Sequence, residues 1–121
     1  MRDLEKYKGI IPAFYACYDK EGQIRPQGVR ALTKYYIEKG VKGVYVNGSS
    51  GECIYQSVED KKLVLENVME AAEGKLTVIA HVACNNTADS VELAKHAQSV
   101  HVDAIAAIPP IYFHLPEHAI A

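Results

Sequence analysis

Residues 43–74 read GVYVNGSSGECIYQSVEDKKLVLENVMEAAEG and contain one complete structural unit of the chain. The unit begins with a short apolar run from Gly43 to Val46 and continues through a loop of small polar residues. Its second half has apolar residues at helical spacing, with Val64, Val68 and Ala71 at i, i+4 and i+7. This pattern predicts a strand buried on both faces, then a loop, then an amphipathic helix.

The same order of strand and helix recurs on both sides of this unit. Four continuous apolar runs predict parallel strands covered by helices, since none of them alternates with polar residues. The four runs are Gly9 to Phe14, Gly43 to Val46, Val78 to Val82 and Ala104 to Ile108. The three intervening segments have one apolar face each, carried by Val29, Leu32 and Tyr36, by Val64, Val68, Ala71 and Ala72, and by Leu93, Ala97 and Val100. The order βαβαβαβ repeats every ~30 residues, the usual size of a strand with its crossover helix.

The predicted helices carry their own boundary signals. Ser57 begins a capping-box-like sequence before the second helix, and Thr87 can cap the third. Gly40 and Gly74 stand where the first two helices should end in a left-handed residue. The third helix has His101 at the equivalent position, where a residue with a Cβ atom is less comfortable.

Two architectures satisfy this order of elements. One is a complete doubly wound sheet, and the other is the opening half of a (β/α)8 TIM barrel, whose usual length is ~250 residues. Residues 116–121 predict the start of a further helix without room to finish, which favours the barrel. We therefore expect residues 1–121 to form the N-terminal part of a single (β/α)8-barrel domain, truncated after its fourth strand.

Composition places the chain among globular proteins and excludes several classes of partner. The 13 basic and 15 acidic residues are interspersed, unlike the charge stripe of a protein that binds nucleic acid or a membrane surface. No apolar run approaches the roughly 20 residues of a membrane span, and residues 1–6 lack the apolar core of a signal peptide. The three cysteines, Cys17, Cys53 and Cys84, are widely spaced and predict reduced thiols rather than a metal site. We therefore expect a cytoplasmic protein.

The loops that follow the carboxyl ends of the strands should gather at one edge of the sheet and form the site. These loops are residues 15–25, 47–57, 83–87 and 109–116. In the second loop, Ser49 and Ser50 lie between two glycines, so amides and hydroxyls can converge on a small anion such as a carboxylate or phosphate. A Gly/Ser turn that makes only its own hydrogen bonds fits the pattern equally well.

Other side chains that could take part in catalysis can each be interpreted as functional or as structural. Tyr112, after the fourth strand, can relay a proton, or it can cover the mouth of the sheet as an amphipathic side chain. His81 lies within the third apolar run, where a buried histidine with satisfied hydrogen bonds is expected rather than a ligand. The lysines precede strands or belong to helices, as Lys61 does, except for Lys20 in a hydrophilic turn. None of them is expected to be the desolvated amine that Schiff-base chemistry requires.

Several segments resemble the dihydrodipicolinate synthase and N-acetylneuraminate lyase superfamily. They are the run Gly43 to Glu52, the pair Gln56-Ser57 and the run Ile79 to Cys84. The two hydroxyl residues between glycines, followed by Glu52, belong to the superfamily at large, whereas Ala80-His81-Val82 leans towards its sialic acid lyases. The similarity spans essentially the whole chain, as the N-terminal portion of the family's fold.

The resemblance implies a class I aldolase that, in its complete form, cleaves N-acetylneuraminate into N-acetylmannosamine and pyruvate through an imine. It assigns Ser49 and Ser50 to binding the pyruvate carboxylate. Tyr112 occupies the position of a tyrosine that contributes to the proton relay or to the neighbouring subunit's site. The imine-forming lysine and the main proton-shuttling tyrosine would lie beyond Ala121, so we expect these 121 residues alone to be inactive.

The resemblance also implies a small-molecule substrate, a homotetramer, and no metal or organic cofactor. Two residues depart from the family pattern, because Pro109 replaces a hydroxyl residue and His101 replaces a glycine. Within the family, dihydrodipicolinate synthase or another pyruvate-dependent sugar-acid aldolase is an alternative. Outside it, the alternatives are a complete, non-enzymatic flavodoxin-like anion-binding domain and self-assembly of two copies into a barrel-like sheet.

Overall fold

A parallel sheet of three strands lies at the centre of the structure. The computed structural model describes residues 3–109 and 116–120. The strands are β1 (Gly43–Val46), β2 (Thr77–His81) and β3 (Ala104–Ala106), in the order β1-β2-β3. The register aligns Val46 with Ala80 and Ala80 with Ile105. The prediction of parallel strands is confirmed, although β2 begins one residue earlier than expected and β3 is shorter.

Helices connect and flank the strands in the predicted order. They are α1 (Pro26–Glu38), α2 (Val58–Ala72), α3 (Thr87–Ser99) and the short α4 (Glu117–Ile120). Three 3-10 turns occur at Glu5–Tyr7, Ser49–Gly51 and Cys53–Tyr55. Because α2 connects β1 to β2 and α3 connects β2 to β3, each parallel pair is joined by a crossover helix. Within the described residues, no helix has the length and apolar character needed to cross a bilayer.

The first predicted strand, Gly9 to Phe14, forms only a single parallel bridge, between Ala13 and Tyr45. The amide of Phe14 donates to the Tyr45 carbonyl at 2.8 Å, and the amide of Tyr45 donates to the Pro12 carbonyl at 2.9 Å. Pro12 has no N–H group with which to continue the ladder towards the amino end. The segment therefore lies beside β1, where it was expected, but the prediction of a regular strand was wrong.

The hydrophobic core lies between the sheet and its helices. Val44, Val46 and Val78 are fully buried on the face of the sheet that packs with apolar side chains of α2 and α3. Burial of each such side chain contributes about 1.5–3 kcal/mol to stability. On the opposite face, Tyr45 and Ile79 are only half-buried. Continuous apolar runs predict strands that are buried on both faces. In the structure, burial is complete only on the face that packs against the helices.

Helix ends follow most of the predicted signals. The Ser57 hydroxyl accepts the amide of Asp60 at 3.0 Å, as expected of a cap. The third helix is capped by Asn86 rather than Thr87, since the Asn86 side chain accepts the Asp89 amide at 2.8 Å and Thr87 is already helical. His101 has a φ of 62°, so the left-handed conformation predicted for this position is confirmed.

An apolar groove borders β3 and α3. It has a volume of about 410 Å³ and is lined mainly by aliphatic side chains, among them Val91, Ala94, Val102 and Ile105. Ile105 is 53% exposed and Val91 is 45% exposed. Within the described residues β3 pairs only with β2, so this side of the sheet exposes the strand edge and apolar surface expected of part of a barrel.

Candidate functional site

The loop after β1 folds back tightly over the carboxyl edge of the sheet. Asn47 and Glu52 adopt left-handed conformations, with φ of 62° and 60°. Each such conformation carries a small energetic cost for a residue other than glycine, and asparagine tolerates it best. Gly48 is also required, because a Cβ atom there would lie 2.8 Å from the Tyr45 ring. The strand therefore leads directly into a compact turn that begins at Ser49.

Ser49 and Ser50 are both exposed within this turn. The turn's backbone bonds are internal, as the Gly51 amide donates to the Gly48 carbonyl at 3.0 Å and the Glu52 amide donates to the Ser49 carbonyl at 2.9 Å. Neither serine hydroxyl has a hydrogen-bond partner among residues 3–109 and 116–120. Two hydroxyl donors are therefore available to a ligand at the carboxyl end of β1.

A small cavity of about 220 Å³ lies beside Ser50, between the loops after the first apolar run and after β1. Tyr15, Tyr18 and Glu52 contribute to its walls. Gln56 joins the two loops, since its side-chain amide donates to the Tyr18 hydroxyl at 2.9 Å and to the Gly51 carbonyl at 2.7 Å. Sequence reasoning did not identify the Tyr18–Gln56 contact. The contact could have been expected, because loops that follow neighbouring parallel strands meet at one edge of the sheet.

His81, the last residue of β2, contacts the backbone at the start of the same loop. It is 3% exposed, and its Nδ1 lies 3.0 Å from the carbonyl oxygen of Asn47. Because a carbonyl oxygen only accepts, Nδ1 carries the proton. Desolvation by burial lowers the pKa of His81, and the charge of Lys61 lowers it further, against the opposing hydrogen bond to Asn47. The neutral ring is therefore the stable form near neutral pH.

The prediction of a buried histidine is confirmed, and its Nδ1 has the Asn47 carbonyl as a partner. Nε2 of His81 is buried and has no hydrogen-bond partner among the described residues. Oδ1 of Asn47 and Oε1 of Gln56 are in the same state. Such atoms are uncommon in folded proteins, where buried polar groups are normally paired. Unmatched polar atoms therefore accumulate at the carboxyl edge of β1 and β2.

Lys61 lies in a helix, as predicted, but the sequence analysis did not predict that its side chain is buried. It is 6% exposed, and its Nζ donates to the Sγ of Cys84 at 3.4 Å. The side-chain amide of Asn47 donates to the Lys61 carbonyl at 2.9 Å and holds the first turn of α2 against the loop. The helical period contained the signal, because Lys61 precedes buried Val64 by three positions and buried Leu65 by four.

The remaining candidates lie elsewhere. Tyr112 lies outside the described residues. Lys8, Lys42 and Lys75 line a cavity of about 730 Å³ at the amino end of the sheet, on the side opposite the candidate site, as predicted. Lys20 is exposed. Within residues 3–109 and 116–120, no three His, Cys, Asp or Glu side chains are grouped to hold a metal ion.

Comparison with known proteins gives consistent results. The model of the dihydrodipicolinate synthetase family matches residues 6–121. The N-acetylneuraminate lyase of Mediterraneibacter gnavus is 82% identical over 121 residues, which is all of this chain and 38% of that protein. N-acetylneuraminate lyase 2 of Escherichia coli O6:H1 is 41% identical over 117 residues, which is 95% of this chain and 38% of that protein. The chain thus spans 38% of the length of these curated relatives.

Solved structures agree with the sequence relatives. Wild-type sialic acid aldolase of Ruminococcus gnavus superimposes with a TM-score of 0.91 at 82% identity, over 96% of this chain and 38% of that one. N-acetylneuraminate lyase of Mycoplasma synoviae superimposes with a TM-score of 0.92 at 37% identity, over 98% of this chain and 41% of that one. The barrel architecture is confirmed over the doubly wound alternative, since the parallel strands match the N-terminal part of these TIM barrels. The chain belongs to the dihydrodipicolinate synthetase family.

Proposed function

We propose that this chain forms the N-terminal part of a class I aldolase that cleaves N-acetylneuraminate into N-acetylmannosamine and pyruvate. The observation that carries the proposal is the 82% identity to the Mediterraneibacter gnavus lyase across all 121 residues. The N-acetylneuraminate lyases among the relatives above favour this activity over dihydrodipicolinate synthase or another sugar-acid aldolase. Residues 1–121 belong, on this proposal, to one (β/α)8-barrel domain.

Ser49 and Ser50 bind the carboxylate of the substrate in this proposal. Their hydroxyls are exposed at the carboxyl end of β1 and have no partner among the described residues. A hydrogen bond from a hydroxyl to a carboxylate contributes about 1.5–3 kcal/mol, more than a bond between neutral groups. Gln56 and His81 hold the loop in position from its two sides. Preorganised donors bind a carboxylate without the cost of ordering the loop at each encounter.

The chemical step needs groups that this chain does not supply. Imine formation requires a lysine amine that reaches the substrate's keto carbon. Lys61 is the buried lysine of the described region, but it contacts Cys84 and does not line the cavity beside Ser50. The family resemblance implies that the imine-forming lysine and the main proton-shuttling tyrosine belong to the rest of the barrel. Tyr112 is proposed to assist the proton relay or to contribute to a neighbouring subunit's site.

The intact protein is proposed to be a cytoplasmic homotetramer that acts on a small-molecule substrate without a metal or organic cofactor. Neither nucleic acid nor a membrane is a proposed partner. The interspersed charges and the net charge of −2 support this choice, since they provide no basic surface for a polyanion.

Borohydride trapping with pyruvate tests the proposal. One sample is this chain, and the other is a chimera in which these 121 residues replace the matching part of the Mediterraneibacter gnavus lyase. Intact mass should show a reduced pyruvate adduct on the chimera and none on this chain, and only the chimera should release pyruvate from N-acetylneuraminate. An adduct on this chain would show that one of its own lysines forms the imine. A folded chimera without an adduct would overturn the proposed function.

A further inference from the structure

The Lys61–Cys84 contact is unlike the other lysine contacts of the described region. Lys6, Lys8, Lys62 and Lys75 each pair with a carboxylate at the surface. Lys61 is nine-tenths buried and has no carboxylate within 4.0 Å among residues 3–109 and 116–120. Its Nζ instead faces the Sγ of Cys84 at 3.4 Å. Neighbouring lysines of one helix thus have different partners, because Lys62 pairs with Glu92 and Lys61 meets a thiol.

Hydrogen bonds to the backbone fix the positions of both Lys61 and Cys84. The Lys61 carbonyl accepts the Asn47 side-chain amide at 2.9 Å. The Cys84 amide donates to the Ser90 hydroxyl at 2.8 Å, and that hydroxyl donates to the Asn86 carbonyl at 3.0 Å. The nitrogen and the sulfur are therefore brought together by fixed elements, the first turn of α2 and the residues after β2. Cys84 is half-buried, whereas Cys53 is buried.

The other two cysteines lack this arrangement. Cys53 is 2% exposed, and desolvation by burial raises the pKa of its thiol. Burial also raises the pKa of the Cys17 thiol, whose Sγ contacts the Tyr15 carbonyl at 3.4 Å. A thiol with a raised pKa forms less of the thiolate that reacts with peroxides. Cys84 is thus the half-buried cysteine whose sulfur has an amine in contact.

We propose that Lys61 and Cys84 form an oxidative modification site in which the amine captures an oxidised sulfur as a covalent S–N bond. Hydrogen peroxide first converts the Cys84 thiol to a sulfenic acid, as the O–O bond breaks and one water molecule is released. The Lys61 ammonium group releases a proton to solvent, and the lone pair of the neutral nitrogen then attacks the sulfur. The S–N bond forms, the S–O bond breaks, and the hydroxyl leaves as a second water molecule with a proton from the nitrogen. Sulfur loses two electrons in total, and one peroxide is reduced.

The bond would connect α2 to the loop after β2, close to Asn47, which leads into the Ser49 turn. Asn47 bonds to the Lys61 carbonyl and precedes the turn that begins at Ser49, so the link would restrict the backbone that positions these hydroxyls. Excess thiol would reverse it, since one thiol displaces the amine to give a mixed disulfide and a second releases Cys84. The inference rests on the Lys61–Cys84 geometry and does not depend on the proposed lyase activity.

Peptide mapping tests the proposal on the 121-residue chain. The folded chain is treated with hydrogen peroxide, its free thiols are alkylated, and it is cleaved after glutamate. Cleavage places Cys53, Lys61 and Cys84 in different peptides, 53–59, 60–66 and 74–92. The expected product is peptide 60–66 joined to peptide 74–92, with the summed mass reduced by two hydrogen atoms. Fragmentation should place the link at Lys61 rather than at Lys62, and dithiothreitol should release both peptides.

Matched variants distinguish this reaction from other fates of the thiol. Lys61→Arg keeps the charge but should lose the linked pair, whereas Lys62→Arg and Cys17→Ser should retain it. Circular dichroism shows whether each variant keeps its helices, and the parent chain in urea should lose the link together with the fold. Three results would overturn the proposal: Cys84 recovered only as sulfinic acid, Cys84 joined to Cys53, or a link that carries an additional oxygen atom.

Discussion

The two ends of the parallel sheet differ in how completely their polar groups are hydrogen-bonded. At the amino end, the carboxylate of Asp103 accepts both the Lys6 amine and the Val78 amide at 2.9 Å, and the Thr77 hydroxyl donates to the Lys6 carbonyl at 2.9 Å. The hydrogen bond to Asp103 raises the pKa of Lys6. At the carboxyl end, His81 keeps a buried nitrogen without a partner among the described residues.

This difference indicates that the amino end of the sheet contributes to stability and that the carboxyl end is available for ligand binding. Polar groups that bond to one another gain little from a ligand, whereas the exposed hydroxyls of Ser49 and Ser50 can still bond to one. At the carboxyl end, Asn47 and Glu52 also adopt left-handed conformations. Such strain is tolerated where it places functional groups. We therefore expect substitutions at the carboxyl end to change ligand binding and those at the amino end to change the free energy of unfolding.

The largest expected effect is at the serine turn. In the chimera with the Mediterraneibacter gnavus lyase, Ser49→Ala and Ser50→Ala should each raise the KM for N-acetylneuraminate by about 10- to 100-fold, because each removes a hydrogen bond of about 1.5–3 kcal/mol to a carboxylate. Steady-state kinetics measures this. Ser57→Ala is the matched control, since its hydroxyl caps α2. It should cost about 1 kcal/mol of unfolding free energy and leave KM unchanged. Equal KM values for all three variants would contradict the carboxylate role.

The next effect concerns the amino end. Asp103→Ala in the 121-residue chain should lower the free energy of unfolding by about 1–3 kcal/mol, because the partly buried Val78 amide loses its acceptor. Asp103→Asn retains one oxygen acceptor and should recover part of that loss. Urea unfolding followed by circular dichroism measures both. If Asp103→Ala is as stable as the parent chain, the amino end does not stabilise the fold as its contacts indicate.

A third effect depends on pH. Burial lowers the pKa of His81 in the folded chain below its ordinary value of 6.5, so the unfolded chain binds a proton that the folded chain excludes as pH falls below 6.5. The stability that His81 provides above that pH is therefore lost on acidification, with a slope of at most about 1.4 kcal/mol per pH unit.

The comparison of His81→Asn with the parent isolates this effect. Asparagine keeps an N–H donor for the Asn47 carbonyl and does not titrate, so the variant should lack the His81 part of the slope between pH 7.5 and 5.5 in urea unfolding. The exposed His101, replaced by Gln, is the control and should leave the slope in place. A parent and a His81→Asn variant with identical slopes would show that His81 is not protonated on unfolding.

The smallest effect distinguishes the observed cap of α3 from the one predicted by sequence. Asn86→Ala should cost about 1 kcal/mol of unfolding free energy, since the side chain that accepts the Asp89 amide is lost. Thr87→Ala should cost little, because Thr87 lies in the first turn of the helix and alanine is the better helix former. Thermal or urea unfolding of both variants provides the measurement. A greater loss from Thr87→Ala would restore the original assignment.

Local patterns predicted most of the fold correctly. The spacing of Val64, Val68 and Ala71 identified α2, and the Ser57 signal identified its start, because helix period and capping involve only neighbouring residues. The same holds for the position of the serine turn after β1. The errors were also local in origin. Pro12 removes a ladder donor from an apolar run, and Asn86 competes with Thr87 for a cap that either residue type can provide.

The sequence by itself determined the order of strands and helices, the edge at which the serine turn lies, and the family to which the chain belongs. The tertiary structure alone decided that Lys61 meets Cys84, 23 residues away, and that His81 contacts Asn47, 34 residues away. Strand and helix patterns repeat over a few residues and can be recognised in a short window. Contacts between residues so far apart depend on how whole elements pack, and that packing is what buries an amine beside a thiol at the edge of the sheet.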